Sequence, residues 1–217
     1  MPSDIILIGP IGAGKSTVGS LLAVQLGLPQ CSMDEHRWHY YKEIGYDETL
    51  AKHKRETEDL WGIYQYWKPF EAYAVERLLA EHKNCVIDFG AGHSVYEDVS
   101  LFQKVQRDLA PYPNIVLLLP SPDLDESVRI LNERNEYVPD GSLNINEHFV
   151  RHPSNDELAK FTVYTRAKTS EETCNEILRL IGSLEAAPFR TEEHGLSATN
   201  GVLTSNLERD RRCCCLD

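Results

Sequence analysis

No run in the 217-residue chain approaches the ~18 consecutive apolar residues that a membrane-spanning helix needs. Positive charge is scarce: 22 Lys and Arg face 34 Asp and Glu, a net charge of −12. Nucleic acids and anionic membrane surfaces recruit basic patches, so neither is an expected partner. The six cysteines show no metal-type spacing. Cys31, Cys85 and Cys174 read as small core side chains. Cys213-Cys214-Cys215 lies close to Asp217, which does not fit the usual prenylation endings, and reads as part of an exposed tail. Nor do the eight histidines suggest a zinc site. A strand opens almost at once, so no signal peptide is expected and the predicted location is cytoplasmic.

Against these absences stands one dense motif. Gly9-Pro10-Ile11-Gly12-Ala13-Gly14-Lys15-Ser16-Thr17 fits the phosphate-cradling pattern G-x-x-x-x-G-K-[ST]. Ile5 to Ile8 precedes it as a buried strand, and residues 15–27 follow it as a helix. Glycines let the backbone turn its N–H groups onto phosphate oxygens, and the helix N-terminus adds partial positive charge. Gly9, Gly12, Ala13, Gly14 and Thr17 would then cradle a nucleoside triphosphate, with ATP and Mg²⁺ the expected cofactors. Lys15 would reach the β- and γ-phosphates, and the Ser16 hydroxyl would hold Mg²⁺. An N-K-x-D motif for guanine is missing, which argues against a GTPase.

Strands alternate with helices through most of the chain. The reading is Leu28 to Ser32, Cys85 to Asp88, Ile115 to Leu119 and Phe161 to Thr165 as strands. Helices fall at Phe70 to Lys83, opened by Pro69, and at Val99 to Leu109, Asp123 to Asn135 and Ser170 to Leu184. A short helix includes Glu157 to Lys160, and 136–147 reads as a mobile loop. The aromatic and charged segment 36–70 reads as helices broken near Gly45 and Gly62. This alternation predicts an α/β, three-layer P-loop NTPase fold, with a parallel sheet of about five strands and helices on both faces. Asp88 closes an apolar strand, as a Walker B acid does when it holds Mg²⁺ through water.

The run Ile8 to Gly19, followed by Leu22-Ala23 and Leu26, resembles the shikimate kinase family, and the resemblance extends over about residues 4–183. It implies an ATP-dependent kinase acting on a hydroxyl of a small, anionic metabolite, with shikimate the first guess. By this resemblance Asp34 is the acid that binds substrate hydroxyls and the catalytic partner of Lys15. Ser32 stands where the family has its metal-side Asp, and Asp88 would compensate. Lys68, in Trp67-Lys68-Pro69-Phe70-Glu71, stands at the family's carboxylate-gripping Arg. Gly90-Ala91-Gly92 matches the substrate-approaching glycines. Arg134 is the lid arginine expected to close on the ATP phosphates, with Arg129 second, and Arg151 the second carboxylate-binding arginine. The family's R-P-L lid signature is missing.

The resemblance implies one kinase domain over 1–184, with substrate-binding helices at about 35–70 and a lid at about 135–150. The remainder, 185–217, reads as a disordered tail, and the protein as a monomer. His36, His39 and His93 are further candidates for the acceptor pocket, with structural roles favoured. Two alternatives stay open. One is a gluconate- or nucleoside-type kinase, since gluconate kinases also place an acid and a His after the second strand. The other is an ATP-binding regulatory module without phosphotransfer.

Overall fold

The computed structural model describes residues 4–135 and 144–185. The expected tail and the centre of the expected lid lie outside the described residues. In chain order the elements are β1 (Ile5–Ile8), α1 (Lys15–Leu26), β2 (Gln30–Ser32), α2 (Met33–Glu43), α3 (Glu48–Thr57), α4 (Asp59–Glu81) and β3 (Val86–Asp88). They continue as α5 (Val99–Leu109), β4 (Asn114–Leu119), α6 (Leu124–Arg134), α7 (Ile145–Arg151), α8 (Pro153–Leu158), β5 (Phe161–Tyr164) and α9 (Ser170–Glu185). A 3₁₀ turn, Ala91–Ser94, follows β3.

All strand pairs are parallel, in the order β2-β3-β1-β4-β5. Side chains alternate across a strand, so the apolar run of β1 feeds two cores at once. Ile6 and Ile8 join Tyr40, Tyr41, Val75 and Leu78 on the face covered by α2, α4 and α5. Ile5 and Leu7 join Leu22, Cys174 and Ile177 beneath α1 and α9. Each fully buried aliphatic side chain contributes roughly 1.5–3 kcal/mol, so an unbroken apolar strand between two helical layers sets the three-layer fold. The order reverses beside β1, and the crevice beyond the carboxyl ends of β1, β2 and β3 is where such sheets bind ligands. The P-loop, the start of α2 and the 90–92 turn all open there.

Most helix boundaries follow their caps. Asp98 and Asp123 accept N–H bonds from the first turns of α5 and α6. Gly27 ends α1 in the left-handed conformation. Four expectations need correction. The α3–α4 break falls at Glu58, and Gly62 lies inside α4. Pro69 does not start a helix; it sits within α4. A proline in a helix interior costs about 3 kcal/mol. Here Ile63 and Tyr64 before it, and Phe70, Val75 and Leu78 after it, are all buried and hold one continuous helix. Residues 145–147, read as loop, open α7, capped by Asn144. Finally, Thr169, not Ser170, caps α9: its hydroxyl accepts from the Glu172 N–H while the Glu172 carboxylate accepts from the Thr169 N–H.

Candidate active site

The P-loop follows β1 with Gly9, Gly12 and Gly14 at φ of 133°, 76° and 98°. At Gly9 a Cβ would also stand 2.5 Å from the Leu118 carbonyl oxygen, so only glycine fits beneath the loop. Lys15 folds back over the loop: its Nζ donates to the carbonyls of Gly9 and Pro10, each at 2.8 Å. Burial lowers its pKa to about 8, against the raising influence of Asp34 and Asp88.

Asp88 gathers the polar groups beside the P-loop. Its Oδ1 accepts from the Ser16 hydroxyl at 2.8 Å and the Ser32 hydroxyl at 3.0 Å. Its Oδ2 accepts from Gln30 Nε2 at 2.8 Å. Ser32 and Asp88 are paired across β2 and β3, so the sheet register itself brings them together. Gln30 escaped the sequence reading, because a polar residue on a short edge strand carries no motif. Two hydroxyls on one carboxylate form a hard-oxygen donor set, which suits a Mg²⁺ ion that keeps several waters and takes the rest of its shell from phosphates. Among the described residues no group of three His, Cys, Asp or Glu could hold a metal by itself. That includes His148 on α7 and His152 at its C-cap, whose H-x-x-x-H spacing the sequence reading passed over.

Two cavities meet at the crevice. One, of about 250 Å³, is lined by Gly12, Gly14, Lys15, Ser16 and Gly90. The other, of about 350 Å³, is lined by Arg37, Tyr64, Trp67, Glu71, Gly92 and Phe149. Ile11, Asp34 and Ala91 belong to both walls. Asp34 opens α2 and stands where a group bound by the P-loop would face a molecule in the second cavity. Gly90 and Gly92 have no room for a side chain. A Cβ at Gly90 would lie 2.7 Å from His93 Nδ1, and one at Gly92 would lie 2.2 Å from Glu71 Oε1.

The expected cations divide. Arg134, at the end of α6, reaches the P-loop and donates to the Gly12 carbonyl at 3.1 Å. Its neighbour Asn135 donates to the Ile11 carbonyl at 3.3 Å. Arg129 instead pairs with Glu133 at 2.7 Å. Lys68, expected to grip a substrate carboxylate, is buried and lines neither cavity. Its ammonium donates to Glu71 and to the carbonyls of Gly92 and Val95, and lies 3.9 Å from the centroid of the Tyr64 ring. Arg151 also lines neither cavity; it pairs with Glu147 and Asp125.

The histidines stay structural. His93 is buried and neutral, its pKa lowered to about 3 by burial and then by the charges of Lys68 and Arg37. His36 stacks on Tyr40 and lies tilted against His82, and His39 pairs with Glu43 at 3.4 Å.

A parallel sheet in this order, with a P-loop after its first strand, defines a P-loop NTPase-like fold. The family model described as "Shikimate kinase" matches residues 11–182. The chain belongs to the shikimate kinase family. The shikimate kinase of Streptomyces coelicolor is 33% identical over 129 residues, 58% of this chain and 61% of that protein. The shikimate kinase of Francisella tularensis subsp. holarctica is 37% identical over 89 residues, 41% of this chain and 45% of that protein. The matches thus span about half to three-fifths of these relatives' length. Shikimate kinase from Acinetobacter baumannii, solved with shikimate, superposes with a TM-score of 0.60 at 23% identity, covering 86% of this chain and 97% of that one. At that identity the likeness concerns the fold.

Proposed function

We propose that the protein transfers the γ-phosphoryl group of ATP to a hydroxyl of a small metabolite, with shikimate as the first candidate. The observation that carries this reading is Asp34, shared by the walls of a phosphate-type cavity and of a second, more apolar one. A hydrolase needs only water beside the phosphate. A kinase needs room for a second molecule and a polar group at the junction.

The P-loop amides and Lys15 would hold the β- and γ-phosphates, and Arg134 would close on them from the end of α6. Ser16 and, through water, Asp88 would hold Mg²⁺, with Ser32 beside them; the ion neutralises phosphate charge when bound. Asp34 orients the acceptor hydroxyl. As the hydroxyl oxygen bonds to the γ-phosphorus, the bond to the β-bridging oxygen breaks and ADP leaves. The hydroxyl proton passes to Asp34 and on to water. Lys15 balances the transferring charge, and positioning supplies most of the acceleration. A monomer in the cytoplasm completes the reading.

The test is ADP release measured against a panel of shikimate, gluconate, nucleosides and a neutral cyclitol. Turnover above the acceptor-free rate with one of them supports a kinase and names its acceptor. Tight ATP binding without acceptor stimulation would instead favour a regulatory module.

A further inference from the structure

Among the described residues, the acceptor-side cavity has one Lys or Arg on its wall, Arg37. Lys68 is committed to Glu71 and two carbonyls, and Arg151 to Glu147 and Asp125. The sequence between Arg134 and Arg151 contains no Lys or Arg, so that segment can bring no further guanidinium or ammonium group to the cavity. Arg37 sits one turn after Asp34 on α2, and its Nη1 lies 3.3 Å from Asp34 Oδ1. Its guanidinium lies over the Trp38 ring, 4.7 Å from the centroid, which fixes its plane. Its Nε is buried without a hydrogen-bond partner. A guanidinium offers five donors in a rigid fork suited to a carboxylate, and here most of the fork is unspent. Trp67, Tyr64 and Phe149 supply the apolar part of the same cavity.

We propose that Arg37 is the anion anchor of this cavity, holding the carboxylate of the acceptor in place of Lys68 and Arg151. The proposal rests on the kinase reading above and moves carboxylate recognition from the Lys68 position to α2.

The experiment compares shikimate and gluconate with their carboxamides in ADP release by wild type, Arg37→Gln and Arg37→Lys. Folding of each variant is checked by its melting temperature and MgATP affinity. For the acid acceptor, Arg37→Gln should raise KM about 30–100-fold, as loss of a charged hydrogen bond does. Its kcat should stay within about 3-fold, the amide KM should not move, and Arg37→Lys should fall between. Acid-over-amide preference that survives Arg37→Gln, or wild type that takes amides as well as acids, overturns the proposal and leaves the kinase reading standing. No stimulation by any acid, amide or neutral polyol overturns the kinase reading, and this proposal falls with it.

Discussion

In the proposed function Lys15 is the residue on which donor binding turns, and its surroundings make that measurable. With its free-state pKa lowered to about 8 by burial, it is largely neutral at pH 9. A triphosphate placed on it favours the charged form. ATP binding at pH 9 should therefore take up close to a full proton, against roughly a quarter of one at pH 7.5, and affinity should fall as pH rises through 8. Calorimetry in two buffers of different ionisation enthalpy reads this directly. Lys15→Met should abolish the uptake; equal proton counts at both pH values would contradict the assignment. Gly92 is a second test. Because an added Cβ would stand 2.2 Å from Glu71 Oε1, Gly92→Ala must displace the Lys68–Glu71 pair. Such overpacking costs about 1–3 kcal/mol; it should lower the melting temperature and raise acceptor KM while ATP affinity holds. At this scale the sequence was informative where a motif fixes backbone and side chain together. Gly9, Lys15 and Ser16 stand as the pattern dictates, and Asp88 meets Ser32 through strand register. Spacing does not reveal which partner a cation chooses, which is why the pairing of Lys68 with Glu71 and of Arg151 with Glu147 and Asp125 was not legible.

At the scale of elements, α7 forms part of the acceptor-side wall through Ile145 and Phe149, and it is fastened by a polar cluster. His148 Nε2 lies 2.8 Å from Glu97 Oε1 and 3.1 Å from the Tyr64 hydroxyl, which itself donates to Glu97 at 2.9 Å. Burial works to raise the Glu97 pKa, but the bonds from His148 and Tyr64 prevail and hold it at about 2. The sign follows from linkage. A carboxyl depressed below its ordinary 4.5 stabilises the fold above that pH and loses its contribution as pH falls toward 2. Glu97→Gln should flatten acid unfolding between pH 4.5 and 2 and raise acceptor KM at pH 7; denaturant melts across that range and a KM measurement check both. Strands and capped helices were legible because burial and caps leave local marks. Pro69 misled because a local rule met a helix whose burial on both sides outweighs it, and α7 was hidden behind the polar run before it.

For the whole molecule, the parallel sheet, its two helical layers and the crevice beyond β1 followed from the alternation of elements around the P-loop. The two-cavity arrangement did not, because it depends on α4 and α7 closing the far side of the crevice. In the proposed function that arrangement joins two ligands at one acid, and this is the claim to test. Asp34→Asn keeps the shape and removes the proton acceptor. The measurement is acceptor-stimulated ADP release beside MgATP affinity, in wild type and Asp34→Asn. Turnover should drop about 10²–10⁴-fold with ATP affinity within about 2-fold of wild type. Undiminished acceptor-stimulated turnover in the variant would contradict the account.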